Sequence, residues 1–236
     1  MQLWKLLLDG NFDRNVFVSM DILKLELLTD DLDGTERFYS KVLGLPVKDK
    51  TINSTSFIAG SSTLIFERSF DKHPTYHFAF NIPCNKIKEA VDWAKSKLKL
   101  IESEGSVIID FVNWNARSIY FMDNNKNVLE FIARSDLNNQ STEPFSTNAI
   151  LNISEIGIVT GEPLKLAEQY INQYDMEYFK EFKNDKFVSL GDNNGLLIIV
   201  AADRNWFPTN QRSEAHPVNI EMLNSDFVNP VTLKIS

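Results

Sequence analysis

One local pattern recurs along this chain and limits what it can fold into: a β run, an amphipathic helix, then three short β runs. The first instance opens with an apolar run at 22–29 and a helix over about 33–43, where Thr35, Phe38, Tyr39 and Val42 fall at i, i+3, i+4 and i+7. Gly44 follows where a left-handed C-terminal cap wants glycine. Short β runs at 46–50, 56–59 and 63–67 come next, broken by Gly60-Ser61-Ser62. The second instance has a strand at 76–82 and a helix at 86–98, with Ile87, Ala90, Val91, Ala94 and Leu98 on one face and Asn85 as its N-cap. Its strands follow at 107–113, 117–122 and 128–133, the last two closing across Asp123-Asn124-Asn125-Lys126-Asn127. A third begins at 155–159, with a helix from Pro163 to Tyr174 and strands at 176–182, 187–190 and 196–201. A run at 218–223 starts a fourth. Units with a period of roughly 50 residues cannot each bury a face alone, so they must pair or stack.

The spacing therefore predicts an α+β protein with an N-terminal extension at 1–20, a two-unit domain at 21–135, a polar linker at 136–149 containing Pro144, and a third unit with an extra strand at 150–236. Two hundred and thirty-six residues, 43% hydrophobic and 24% charged, exclude a disordered, collagen-like or coiled-coil chain. The net charge of −8 with no basic patch argues against nucleic acid and anionic membrane surfaces. Leu6–Leu8 is far shorter than the about 20 apolar residues a membrane helix needs. A single cysteine, Cys84, leaves no internal disulfide and no cysteine-based zinc site, and fits a reducing cytoplasm. No glycine-rich loop follows a strand and no G-x-S-x-G occurs, so the signatures of dinucleotide, P-loop and serine-hydrolase chemistry are absent.

Two segments carry a resemblance. Thr29-Asp30-Asp31-Leu32 with Arg37-Phe38-Tyr39-Ser40-Lys41-Val42-Leu43-Gly44-Leu45 resembles the opening of vicinal oxygen chelate proteins. Asn115 to Phe131, with Tyr120-Phe121-Met122-Asp123 and Glu130, is similar to the closing hairpin of that superfamily, which includes glyoxalase I, extradiol dioxygenases, and bleomycin- and fosfomycin-resistance proteins. The resemblance implies paired βαβββ modules curling into an eight-stranded cup, with 150–236 as an additional half-domain. It also implies a divalent metal (Fe, Mn, Ni or Zn) held by the first and last strands of each module.

Carried over residue by residue, the first-strand positions are Lys24 and His77 and the last-strand positions are Ile65 and Glu130. His77 and Glu130 match the pattern as metal ligands and catalytic residues; Lys24 and Ile65 depart from it. A lysine brings its own charge to the place of a cation, so the expected metal is weakly held, or is replaced by a buried Lys24–Glu130 ion pair. Glu130 is the sharper signal, because a carboxylate among Val128, Leu129, Phe131 and Ile132 needs a cation, metal or water. His77 reads equally as a hydrogen-bonded core histidine. Lys24, Trp114 and Arg117 are the candidate substrate-binding residues, with Trp114 equally suited to ordinary core. Arg68 and Arg134 read as rim residues. In the third unit the corresponding positions are Glu155, Ile198 and, in the unfinished fourth, Asn219; Glu155 with Asn219 does not make a metal site. Trp206 and Phe207 read as a cap on the cup or a dimer contact.

Two functions follow from the resemblance. One is a small-molecule enzyme, a metal-dependent lyase or dioxygenase on a degenerate site. The other is a binding protein of the bleomycin-resistance type, with the ion pair in place of metal. The sheet edge of the half-domain must be covered by the first domain, by residues 1–20, or by the second subunit of a homodimer.

Overall fold

A computed structural model of the chain describes residues 19–70, 72–180, 183–224 and 230–235. The expected extension at 1–20 lies outside the described residues except for its last two. In chain order, β1 (Met20–Thr29) leads to α1 (Leu32–Arg37), where the Asp31 carboxylate accepts the Gly34 N–H at 2.9 Å as an N-cap. The helix runs on as a π-helical turn over Phe38–Val42, and Gly44 ends it at φ +80°. β2 (Val47–Lys50), β3 (Ser54–Ala59) and β4 (Ser62–Arg68) complete the first unit. The second unit is β5 (His77–Ile82), α2 (Ile87–Lys95), β6 (Leu100–Ile101), β7 (Ile109–Phe111), β8 (Ala116–Met122) and β9 (Val128–Arg134). The third is β10 (Asn152–Thr160), α3 (Pro163–Tyr174), β11 (Phe187–Gly191) and β12 (Leu196–Ala201). In the fourth, the described residues form β13 (Val218–Asn224) and β14 (Val231–Ile235).

The α+β class and the βαβββ units are those the sequence predicts. The pairing between units is not. Instead of joining the first and second units over 21–135, the chain sets β5 antiparallel to β10 and β1 antiparallel to β13. In each of the first three units the first strand also pairs in parallel with the last: β1 with β4, β5 with β9, β10 with β12. The second and third units thus share one cup, and the first unit forms a half-cup with β13 and β14. Cross-strand chemistry follows these partners. Lys24 faces Glu221 and Glu26 faces Asn219 across β1 and β13, whereas β5 meets β10 through Phe78, Ala79 and Phe80.

The two halves meet at one β1–β10 pair, Ile22 with Ile153, and one hydroxyl clamps it. Ser62 Oγ donates to the Ile22 carbonyl at 2.6 Å and accepts the Ile153 N–H at 2.9 Å. Across the helices, the buried Tyr39 hydroxyl donates to Asp123 at 2.7 Å, tying the first unit to the turn that closes β8 and β9. That turn keeps a left-handed residue at Lys126, φ +66°, while the Asp123 carboxylate accepts the N–H groups of Asn125 and Asn127. The connection at 136–149 packs against the core through Phe145, 5.6 Å from Trp93 between ring centres.

Two predicted strands are curtailed. The run at 107–113 is a strand only at β7, because Val112–Trp114 winds into a 3₁₀ turn. In the described part of 176–182 only Tyr178 bridges to Leu190.

Candidate functional site

The concave face of the cup formed by β5, β9, β10 and β12 holds a cavity of about 1010 Å³. His77, the first residue of β5, and Glu130, in the middle of β9, reach its base from neighbouring parallel strands. Glu155 reaches it from β10, where a bulge at Ser154 puts Ile153 opposite Phe80 but Glu155 opposite Ala79. Such a bulge re-aims the side chain that follows it.

These three residues are 6%, 2% and 3% exposed. His77 Nε2 lies 3.8 Å from Glu130 Oε2 and 3.9 Å from Glu155 Oε2, and one ligand atom from each residue lies within 4.8 Å of the others. The His77 Nδ1–H donates to the Val128 carbonyl at 3.0 Å. That bond fixes the tautomer in which Nε2 presents a lone pair to the two carboxylates.

The electrostatics are unbalanced. Arg134, fully buried, bonds Glu155 through Nη2, while Glu130 has no cation in contact among the described residues. The Tyr120 ring lies 6.3 Å from the His77 ring, with its hydroxyl in the field of Glu130. Burial, and then the Glu155 charge, hold the Glu130 carboxyl well above the usual carboxylate range. Burial likewise raises Glu155, against the pull of Arg134. Burial takes His77 down to about 4, with the Arg204 charge acting the same way against the Val128 hydrogen bond. The Tyr120 hydroxyl is pushed well above its ordinary value by burial and by both carboxylates, so it remains a donor. One imidazole lone pair and two carboxylates, only one of them paired with a guanidinium, form a donor set suited to a divalent first-row ion. The residues fit a metal.

The walls above this base are aromatic. Trp206 lies 5.2 Å from the His77 ring, and Phe207 stands edge-on to Tyr120 at 6.0 Å. Trp114 packs against Phe179 at 5.1 Å and Phe111 at 6.2 Å. Gly157, two residues after Glu155 on β10, makes room for the indole. A Cβ there would stand 2.4 Å from Trp206 Cη2.

The structure brings together some of the residues singled out in the sequence and separates others. His77 and Glu130 meet at the base, and Trp114 lines the wall. Lys24 belongs to the other half: it is exposed and its ammonium meets Glu221 at 2.5 Å, so no Lys24–Glu130 pair exists. The reason is the exchanged pairing, which sets β1 beside β13 rather than β5. Ile65 lies in that same half, opposite Glu26. Arg117 does not line the cavity; Tyr120, on the other face of β8, does. Sequence reasoning names Glu155 and Arg134 but keeps Glu155 out of a metal site and Arg134 on the rim, and the structure corrects both; Arg204 it missed. Glu155 carries the signal that marks Glu130, a carboxylate in an apolar strand, but the sequence offers it no partner. Arg134 reads as a rim residue because it ends its strand, yet it is completely buried. Ile198, at the last-strand position of the third unit, lines the cavity without donating a ligand.

No protein-family model and no curated protein matches this sequence. Solved structures do. A glutamate-to-glutamine mutant of glyoxalase I from Zea mays aligns over 83% of this chain and 72% of its own, with 15% identity and a TM-score of 0.55. A valine-to-glutamate mutant of the same enzyme aligns over 87% and 75%, with 15% identity and a TM-score of 0.54. A Bacillus subtilis chain whose dioxygenase assignment is itself provisional aligns over 77% of this chain with 16% identity and a TM-score of 0.53; this chain spans 64% of its length. At these identities the likeness is one of fold. No described helix is long and apolar enough to cross a membrane.

Proposed function

Starting from the vicinal oxygen chelate fold that the chain shares with these structures, we propose that it is a divalent-metal-dependent lyase or dioxygenase. Its substrate is a small molecule with oxygens on adjacent carbons. The observation that carries this reading is the convergence of His77, Glu130 and Glu155 at the base of a large aromatic cavity. The ion is Fe, Mn, Ni or Zn, one per chain, held by those three residues. When bound, it supplies a Lewis acid that polarises the substrate oxygens.

The chain's own residues have separable roles. His77 offers Nε2 because Nδ1 is committed to Val128. Arg134 holds Glu155 in place as the fixed carboxylate. Glu130 has no such cation partner among the described residues, and of the two carboxylates it is the one that would take and return a substrate proton. Trp114, Trp206 and Phe207 exclude water and grip the substrate body. All three metal ligands come from one chain, so a homodimer is a packing question rather than a catalytic one. The lone Cys84 fits a reducing cytoplasm.

A second reading, a non-catalytic binding cup, is favoured by one observation: Arg134 already neutralises Glu155. Elemental analysis and calorimetric titration with Mn(II), Fe(II), Ni(II) and Zn(II) separate the two. The enzyme reading expects one ion per chain in the wild type, none in Glu155→Gln or His77→Ala, and unchanged uptake in Lys24→Ala. No uptake by the folded wild type would leave the binding cup.

A further inference from the structure

Resting on the cavity being the substrate site, the structure carries the substrate class one step further. Residues 202–213 fold back over the cup as a pinned loop. The backbone N–H of Trp206 donates to the Gln211 carbonyl at 2.8 Å, the Ser213 N–H to the Arg204 carbonyl at 2.6 Å, and Ser213 Oγ to the Ala201 carbonyl at 3.0 Å. Two side chains on this loop line the cavity with unmet hydrogen-bonding capacity. Arg204 lies half-buried with its guanidinium 4.7 Å above the Phe187 ring, and makes no ion pair among the described residues. Trp206 Nε1 is buried and has no hydrogen-bond acceptor among the described residues. A buried donor without an acceptor is costly unless a ligand or water supplies one. The other cavity cation, Lys180, is already bonded to Asp136 at 3.2 Å, and Asp110 is an exposed wall residue.

We propose that the substrate is an aromatic carboxylate, its ring held between Trp114, Phe187 and Trp206 and its carboxylate received by the Arg204 guanidinium and the Trp206 indole N–H. The guanidinium fork matches a carboxylate in geometry and charge, and its seat on Phe187 pre-orders it. The indole N–H adds a second donor from the same loop, and the flat walls suit a ring. The carboxylate end therefore points to the loop and the oxygen-bearing end to His77, Glu130 and Glu155.

The test uses two matched probes, 3-phenylpropionate and 3-phenylpropan-1-ol, titrated into the full chain with and without Mn(II), with Mn(II) stoichiometry measured in the same samples. The wild type is expected to bind the carboxylate at least about 10-fold more tightly than the alcohol. Arg204→Gln should remove that preference with Mn(II) stoichiometry still at one per chain; Arg204→Lys should keep part of it. Trp206→Phe should weaken the carboxylate by about 3-fold or more and the alcohol less. Equal binding of both probes, no binding of either, or a preference that survives in Arg204→Gln would overturn the proposal. An Arg204-dependent preference without Mn(II) uptake would sink the metal reading and keep this one. Uptake without the preference would do the reverse.

Discussion

The two halves of this molecule are built from the same units and use equivalent positions for opposite purposes. In the cup of the second and third units, the first-strand and last-strand positions carry His77, Glu155 and Glu130, all buried. In the half formed by the first unit with β13 and β14, those positions carry Lys24, Asn219 and Ile65. There the polar groups satisfy one another nearer the surface: Lys24 bonds Glu221 and Asn219 bonds Glu26. The difference lies in closure. The cup has β12 and β11 on one side, β9 and β8 on the other, and the 202–213 loop above, so charge inside it is desolvated and needs a partner. The open half has only β13 and β14 from its fourth unit among the described residues, and water reaches its polar groups. One scaffold thus yields a buried, charged cavity or an ordinary polar face according to whether its concavity is covered.

The strongest way to break this contrast is to unpair a charge in each half. Arg134→Met removes the guanidinium that bonds Glu155 and should cost about 3–5 kcal/mol in the metal-free protein by urea denaturation. Lys24→Ala removes an exposed partner of Glu221 and should cost under about 1 kcal/mol. Comparable losses in both would show that closure is not the difference.

Packing supplies the next test. Gly157→Ala forces a methyl into the Trp206 indole and should cost about 1–3 kcal/mol, with a shift in tryptophan fluorescence. Gly161→Ala, four residues on, meets no atom within 4 Å and should leave fluorescence unchanged.

Much of this architecture is legible in the sequence, and the part that is not has a definite cause. The units announce themselves through local signals: helix spacing at Thr35, Phe38, Tyr39 and Val42, the left-handed Gly44, and Pro163 at a helix start. Glu130 and His77 are likewise visible as polar residues in apolar strands. Which unit pairs with which has no local signature, since the first strands all expose backbone edges that any of the others could meet. Assuming that neighbours in sequence pair puts Lys24 beside Glu130 and leaves Glu155 stranded. Arg134 escapes notice because strand alternation says which face a residue takes, not how deeply a later unit will cover it. Arg204 lies on a loop, where neither periodicity nor spacing speaks.

A smaller effect tests the charge balance inside the cup. Glu130 has its carboxyl raised in the folded state, so metal-free stability from this group is present at low pH and declines as pH rises from the unfolded carboxylate range. Glu130→Gln should therefore stabilise the metal-free protein at pH 8 by about 1–2 kcal/mol while losing metal uptake. His77 has the opposite sign. With its pKa lowered to about 4, it costs stability as pH falls from about 6.5 towards 4, because only the unfolded chain takes the proton. His77→Gln should flatten that acid limb of the melting profile.

The most direct test of the central claim, that closure over the second and third units makes a metal site, is anomalous diffraction from crystals of the protein loaded with Mn(II). The account predicts one strong peak per chain, between His77 Nε2 and the carboxylates of Glu130 and Glu155, and none beside Glu26 and Glu221 in the open half. A peak in the open half, or none in a cup whose three side chains keep the positions described above, would contradict it.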